Sequence, residues 1–303
     1  MPAWTPPQRT LRDALVDAER RLAGAGVSTP RVDAELLLSY VMEIPRGRLF
    51  LSDPIDPGDQ VRFETLIARR ASRVPLQHLV GEAPFRHLTL EVGPGVFVPR
   101  PETETVAEFA IRALRENTEG RLAVDLCTGS GAIALAMATE VPGSIVHAVE
   151  REDTAVVWTR RNIDALHAEL VAANSQVELH HSDATTVHEH VLANLNGRVD
   201  VVVTNPPYIP TAAVPRDPEV REFDPPAALY GGSDGLDVVR GLVDVAWSLL
   251  RPGGSLIIEH SDQQGEQAGE HGVPHVARAA GFVDVADHVD LAGRDRVTTA
   301  RRP

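Results

Sequence analysis

The chain has 303 residues, 43% of them hydrophobic and 24% charged, an ordinary balance for a globular protein with room for one large domain and a small one. Its net charge of −14 is lopsided: residues 1–80 hold 11 arginines against 10 acidic groups, so the rest carries −15 and repels a phosphate backbone. No apolar run reaches the roughly 18 residues of a membrane span, the start has no basic-then-apolar leader, and the one cysteine, Cys127, has no internal disulfide partner, so a cytoplasmic protein with no membrane or direct nucleic-acid partner is expected.

Residues 8–80 read as helical. "TLRDALVDAERRLAGAG" puts Leu11, Leu15, Ala18 and Leu22 on one face, with Thr10 as a cap and Gly24 and Gly26 as stops. "TPRVDAELLLSYVM" opens on Thr-Pro, and "DPGDQVRFETLIARRAS" repeats the pattern after a Pro- and Gly-rich break. Such helices make a small bundle, expected over residues 1–82. It holds no catalytic constellation, so it binds a partner or completes the packing of the main domain. "APFRHLTLEVGPGVFV", residues 83–98, alternates apolar and polar about Gly-Pro-Gly and reads as a β-hairpin connector. "PRPETETVAEFAIRALREN" then starts a helix, with Pro101 in its first turn and Glu102 and Glu104 at its positive end.

From residue 121 strands alternate with helices. The strands are "LAVDLC", "SIVHAVE", "QVELHHSD", "VDVVVT" and "GSLIIEH", and helices are expected over Gly131–Thr139, Thr154–His167 and Gly235–Leu250. A further helix reaches Ala280, and "FVDVADHV" and "DRVTTARR" leave little room for a helix between them, which suggests an antiparallel terminal pair. The pattern predicts an α/β fold with a mostly parallel sheet covered on both faces.

In such sheets ligands bind at the carboxyl ends of the strands. Four unusual features fall there. "DLCTGSG", Asp125–Gly131, is a tight turn opening a helix, in which Gly129 and Gly131 permit close approach. Glu150, about twenty residues on, can accept hydrogen bonds from both hydroxyls of a ribose. Asp183, in "HHSDA", can meet an adenine amino group, and "NPPY", Asn205–Tyr208, ends the fourth strand. A dinucleotide fingerprint needs a third glycine, which "CTGSGAIA" lacks. Asp125, ahead of the glycines, suits a cationic amino-acid moiety.

This constellation resembles the Rossmann-like S-adenosylmethionine (SAM) methyltransferases. The motif order, with "PLQHLVGEAPF", "GVFVPRPETE", "DLCTGSGAIALA", "NPPYIP", "EVREFDPPAALYGGSDGLD" and "LIIEHSDQQGE", is similar to the PrmC/HemK protein glutamine methyltransferases. The resemblance implies a seven-stranded sheet whose last strand is antiparallel, a substrate-recognition domain over residues 1–82 and a methyltransferase domain over 99–303. It implies SAM as cofactor, bound by Asp125, Cys127, Thr128, Gly129, Ser130, Gly131, Glu150, Asp183, Ala184 and Asn205. It also implies a glutamine in the GGQ loop of class I peptide-chain release factors as substrate, held by Asn205, Pro206, Pro207, Tyr208 and Phe97. A monomer and no metal are expected. Arg100, Glu102 and Glu104 are expected to close over the cofactor, and Glu259 and His260 to support the site from behind. Cys127 stands where the family usually has glycine; a thiol with no basic partner nearby reads as filler.

A carboxamide nitrogen is a poor nucleophile, because its lone pair is delocalised into the carbonyl. An enzyme that methylates it must above all align it. Asn205 Oδ1 and the Pro206 carbonyl can accept the two N–H groups of the substrate, the prolines stiffen the carbonyl without adding N–H groups, and Tyr208 offers a flat face to the amide. Asn205, Pro206 and Tyr208 are therefore the expected catalytic group. A nucleic-acid amino methyltransferase would use the same clamp on a base, but no basic or aromatic-rich recognition module appears. A silent SAM-binding adaptor would not need an intact clamp. His180, His181, His188 and His190 lack tight metal-ligand spacing and read as solvated or core side chains.

Overall fold

The structure is a computed structural model and describes residues 10–51, 54–117 and 120–303. Thr10 caps helix α1 (Leu11–Gly24) by accepting from the Asp13 amide, and Leu11, Ala14, Leu15, Ala18 and Leu22 form its buried stripe. Two helices of similar length follow, α2 (Pro30–Met42) and α3 (Pro57–Ala71), and then the short α4 (Leu76–Val80). The α3 cap is Asp56, whose side chain accepts from Gly58 N. Leu15, Leu22, Leu37, Leu38, Phe63 and Ile67 fill the core between them. Residues up to Glu82 form one unit, joined by Arg216–Phe223 from far along the chain. Glu219 is the tie: it accepts from Arg70 Nη1 and Arg73 Nε, each at 2.8 Å. Burial opposes its charge, but the Arg73 and Arg70 bonds win and hold its carboxyl at about 2.

The second unit takes Ala83–Pro215 and Asp224–Pro303. Near its start, β1 (Glu82–Phe85) and β2 (Leu88–Glu91) make a hairpin that, among the described residues, pairs with no other strand. The hairpin reverses at Arg86, φ +55, and not at Gly93-Pro94-Gly95, where the sequence pattern had put the turn. Glu104 accepts from the Arg86 amide at 2.9 Å, and Glu108 and Glu140 hold its guanidinium. Gly93 and Gly95 serve close approach instead: a Cβ on them would stand 2.5 Å from the Trp158 ring and 2.8 Å from Thr154.

The main body then runs α5 (Thr103–Arg115), β3 (Leu122–Leu126), α6 (Ala132–Glu140), β4 (Ile145–Glu150), α7 (Asp153–Ala165), α8 (His167–Ala172), β5 (Gln176–His181) and β6 (Val199–Thr204). After α9 (Pro218–Phe223, in the other unit) come α10 (Pro226–Leu229), α11 (Asp237–Leu249), β7 (Leu250–Glu259), α12 (Val273–Ala279), β8 (Val283–Val289) and β9 (Asp295–Arg301). The seven strands lie in the order β5-β4-β3-β6-β7-β9-β8. All neighbours from β5 to β7 are parallel, and β9 runs antiparallel to both β7 and β8.

Burial on both faces explains the apolar run Val201–Val203 in β6. Val201 and Val203 pack with Ile111 of α5 and Leu135 of α6, while Val202 packs with Leu242 and Val245 of α11 on the other face. Each such valine, fully buried, contributes about 1.5–3 kcal/mol relative to exposure. The chain moves from β3 outward to β4 and β5, then returns to place β6 on β3's other side. The crevice between the ends of β3 and β6 is therefore the topological switch point.

Candidate active site

Strand order brings the four strand-end features into one row: Asp183 after β5, Glu150 ending β4, the glycine turn after β3, and Asn205-Pro206-Pro207-Tyr208 after β6. Asp125 is fully buried. Its Oδ2 accepts from the Thr128 hydroxyl at 2.6 Å and from Ala134 N at 3.1 Å, while Oδ1 has no partner among the described residues. Burial, with the charge of Glu150 adding, pushes its carboxyl up to about 7 against those two bonds. Gly129 and Gly131 both have positive φ, and beside Gly129 the space a Cβ would occupy is open.

Glu150 does more in the fold than its spacing foretold. Its Oε2 accepts from Gly129 N, and its Oε1 from Arg151 N and Glu152 N, all within 2.8–2.9 Å. Helix α7 grips the same turn from outside. Thr159 donates to Gly129 O at 2.6 Å, and Asn162 Nδ2 donates to Ser130 O at 2.9 Å and to Glu91 O at 3.0 Å. Asp183 is exposed; its Oδ1 takes the Thr185 amide and hydroxyl, which hold its carboxyl low and leave Oδ2 open among the described residues, and Ala184 beside it is buried.

Cys127 sits in the left-handed region, φ +62. Burial first, then the charges of Glu150 and Asp125, push its thiol far up, so it stays protonated and is no nucleophile. Left-handed geometry costs an L residue about 1–2 kcal/mol. Glycine there relieves this cost but adds about 0.4–1 kcal/mol of unfolded-chain entropy and forfeits packing worth about 0.8 kcal/mol per methylene. The terms nearly cancel. Cys127→Gly is expected to shift stability by less than about 1 kcal/mol. Cys127→Val, β-branched at positive φ, should lower the urea midpoint clearly; the two variants' midpoints check this.

At the end of β6, Asn205 and Tyr208 are half-buried and Pro206 and Pro207 buried. Asn205 Nδ2 donates to the Thr103 hydroxyl at 3.2 Å, which leaves Oδ1 as the open end of the amide. Among the described residues no hydrogen bond occupies the Pro206 carbonyl. The loop is held from behind. Gln264 Nε2 donates to Tyr208 O at 3.0 Å, and a Cβ on Gly231 or Gly235 would stand 2.3 Å from the carbonyl oxygens of Pro207 and Tyr208. Tyr208 Oη lies 3.4 Å from Glu259 Oε1, at the buried end of β7.

Two family models match the chain: the PrmC N-terminal domain over residues 13–81 and the methyltransferase small domain over residues 87–217. A release factor glutamine methyltransferase of Streptomyces coelicolor is 48% identical over 291 residues, covering 95% of this chain and 96% of that protein. The chain belongs to the release factor glutamine methyltransferase family. The protein of that name from Mycolicibacterium smegmatis is 46% identical over 96% of this chain and 98% of its own length. In fold, the chain is similar to the solved Thermus thermophilus 16S rRNA N2 G1207 methyltransferase in complex with AdoMet and guanosine. The TM-score is 0.50 at 24% identity, covering 73% of this chain and 50% of that one.

Other residues of this family member fall differently from the sequence reading. Glu104 accepts from the Arg86 amide through Oε1. Arg100 pairs with buried Asp224 at 2.6 Å and lies over the Phe97 ring, 4.9 Å from its centre, so Phe97 belongs to that group. Thr103, buried at the start of α5, was not among the predicted site residues; nothing in "PETETV" marks it apart from the neighbouring threonine. His260 is fully buried with Nε2 3.2 Å from Asp287. His188 and His190 each lie 3.9 Å from Glu189, His181 bonds Arg151 O and His180 faces His147, so these four histidines do not converge.

Burial also pushes the Glu259 carboxyl up to about 7, against the Thr103 hydroxyl and Arg296. Between 4.5, its ordinary value, and 7 the folded chain holds a proton that the unfolded chain has lost. This group's contribution to stability therefore falls as pH rises through that window. Glu259→Gln removes the dependence. Denaturation midpoints at pH 5 and pH 8 should show the variant gaining on the wild type at the higher pH.

Proposed function

We propose that the protein transfers a methyl group from SAM to the side-chain amide nitrogen of a release-factor glutamine, with Asn205 and Pro206 as the amide clamp. The observation that carries this reading is the pair of open acceptors at the end of β6, next to the glycine turn. SAM supplies an electrophilic methyl group on a sulfonium. For holding it, the buried and unpartnered Asp125 Oδ1 suits an ammonium and the open space beside Gly129 a close-lying ligand. Glu150 suits a ribose hydroxyl through the one lone pair that its three backbone amides leave, on Oε2, and Asp183 Oδ2 an adenine amino group. Cys127, Thr128, Ser130, Gly131 and Ala184 shape the turns that carry these groups.

Asn205 Oδ1 and Pro206 O accept the two N–H groups of the substrate amide, which turns the nitrogen's remaining direction toward the methyl. Both acceptors also stabilise the positive charge that develops on nitrogen during transfer. The Thr103 hydroxyl gives its own hydrogen to Glu259, so toward Asn205 it can only accept, and this keeps the amide from flipping to present N–H groups that would repel the substrate's own. Tyr208 packs its ring on the planar amide while its hydroxyl faces Glu259. No side-chain base is needed, because the cationic N-methylated amide that the transfer forms loses its extra proton to water.

The residue 1–82 unit is read as the recognition element for the release factor, acting as a monomer in the cytoplasm, with no direct nucleic-acid contact. No described helix is long and apolar enough to cross a membrane. The test is to incubate the protein with methyl-labelled SAM and, separately, release factor, tRNA and DNA. Label is expected on the release factor, at a glutamine; label on tRNA or DNA alone would overturn the substrate assignment.

A further inference from the structure

Strands β4 and β5 pair with His147 opposite Glu178 and Val149 opposite His180. Residues two apart on a strand share a face, so these three polar side chains converge on one face of the sheet's edge. His147 Nδ1 lies 2.8 Å from His180 Nε2 and 3.5 Å from Glu178 Oε2. One ligand atom from each residue falls within 4.8 Å of the other two. His147 is buried, His180 half-buried and Glu178 exposed. The group is thus walled on one side and open to water on the other.

We infer that His147, Glu178 and His180 form a binding site for a zinc-class divalent transition cation, with water completing the coordination. Two imidazoles, a carboxylate and an open position are a donor set that such cations take. Magnesium and calcium prefer oxygen alone. In the ion-free protein one of the two facing nitrogens carries the hydrogen of the 2.8 Å bond. Binding needs both lone pairs, so that proton passes, through exchange with water, to the far nitrogen of the same ring, and no net charge leaves the pair. Nitrogens at zinc-bond length around a tetrahedral ion stand roughly 3.3 Å apart, so the rings need open only slightly. The methyl-transfer chemistry uses none of the three. The ion is a staple that pins the edge strand β5 to β4 just upstream of Asp183.

Zinc alone, titrated by calorimetry into the full chain freed of any histidine tag, is expected to bind at one equivalent. Cobalt alone should give the visible absorption of a low-coordinate ion. His180→Ala and Glu178→Gln should each weaken zinc by at least about tenfold, the lower end of what even outer partners of a metal site contribute. Both should also lose the zinc-dependent rise in Tm. Glu178 is exposed, so that variant keeps its fold and the test survives a failure of the other. The proposal is overturned if wild type shows no cobalt spectrum, or if both variants bind zinc as tightly as wild type.

Discussion

Asn205→Ala is expected to slow methyl transfer to release-factor glutamine by at least about a hundredfold, the cost of misplacing a reacting atom by about 1 Å. One of two acceptors is gone, so the substrate nitrogen is free to rotate away from the methyl, and the charge developing on it loses a partner. SAM affinity should change by less than about tenfold, equivalent to 1.4 kcal/mol. Asn205→Asp is the sharper variant. It keeps an acceptor but brings a charge beside the sulfonium, and its new oxygen replaces the N–H that Thr103 accepts. It stabilises the ground state as much as the transition state, so kcat should fall here too. Thr103→Val should give a milder version of the same phenotype, lowering kcat while sparing SAM affinity, because the Asn205 amide can then flip. Near-wild-type transfer by Asn205→Ala, measured with purified release factor, would sink the clamp mechanism.

Glu150→Ala is expected to weaken SAM binding on the order of a hundredfold, with kcat at saturating SAM much less affected. One lost charge-assisted hydrogen bond costs about 1.5–3 kcal/mol, which is already tenfold or more. The carboxylate also takes three backbone amides, one of them from Gly129. Truncation therefore loosens the glycine turn as well as removing the ribose acceptor. Glu150→Gln should bind better than Glu150→Ala, since it still offers one acceptor oxygen. Equilibrium dialysis of the three proteins distinguishes the cases. Equal affinities would mean that the ribose is held elsewhere and that the turn stands without this carboxylate.

The centre of the sheet could be read from sequence because β3, β4 and β6 are buried on both faces, so "VDVVVT" and "SIVHAVE" stand out as apolar runs between helices. The row of chemical groups could be read because each falls where an apolar run ends. What stayed hidden depends on pairing between distant segments. His147 looks like one more residue of a buried strand until parallel register sets it opposite Glu178. Glu219 looks like a surface charge until it meets Arg70 and Arg73 in the helical unit. Gly93 and Gly95 were read as a turn because Gly-Pro-Gly usually is one. The reason for them is the Trp158 ring and Thr154, and no local pattern announces that. Thr103 sits one residue from Glu104 in a run of threonines and glutamates, and its contacts with Asn205 and Glu259 set it apart.

Gly231 and Gly235 meet the carbonyls of Pro207 and Tyr208 with no space left between them. The tetrapeptide after β6 and "YGGSDG" are therefore one cast and its mould, though over twenty residues separate them in the chain. Neither can drift alone. Grafting a different tetrapeptide here, to redirect the enzyme toward another amine, requires transplanting the mould with it, and random variation will be tolerated in the two stretches only as matched pairs.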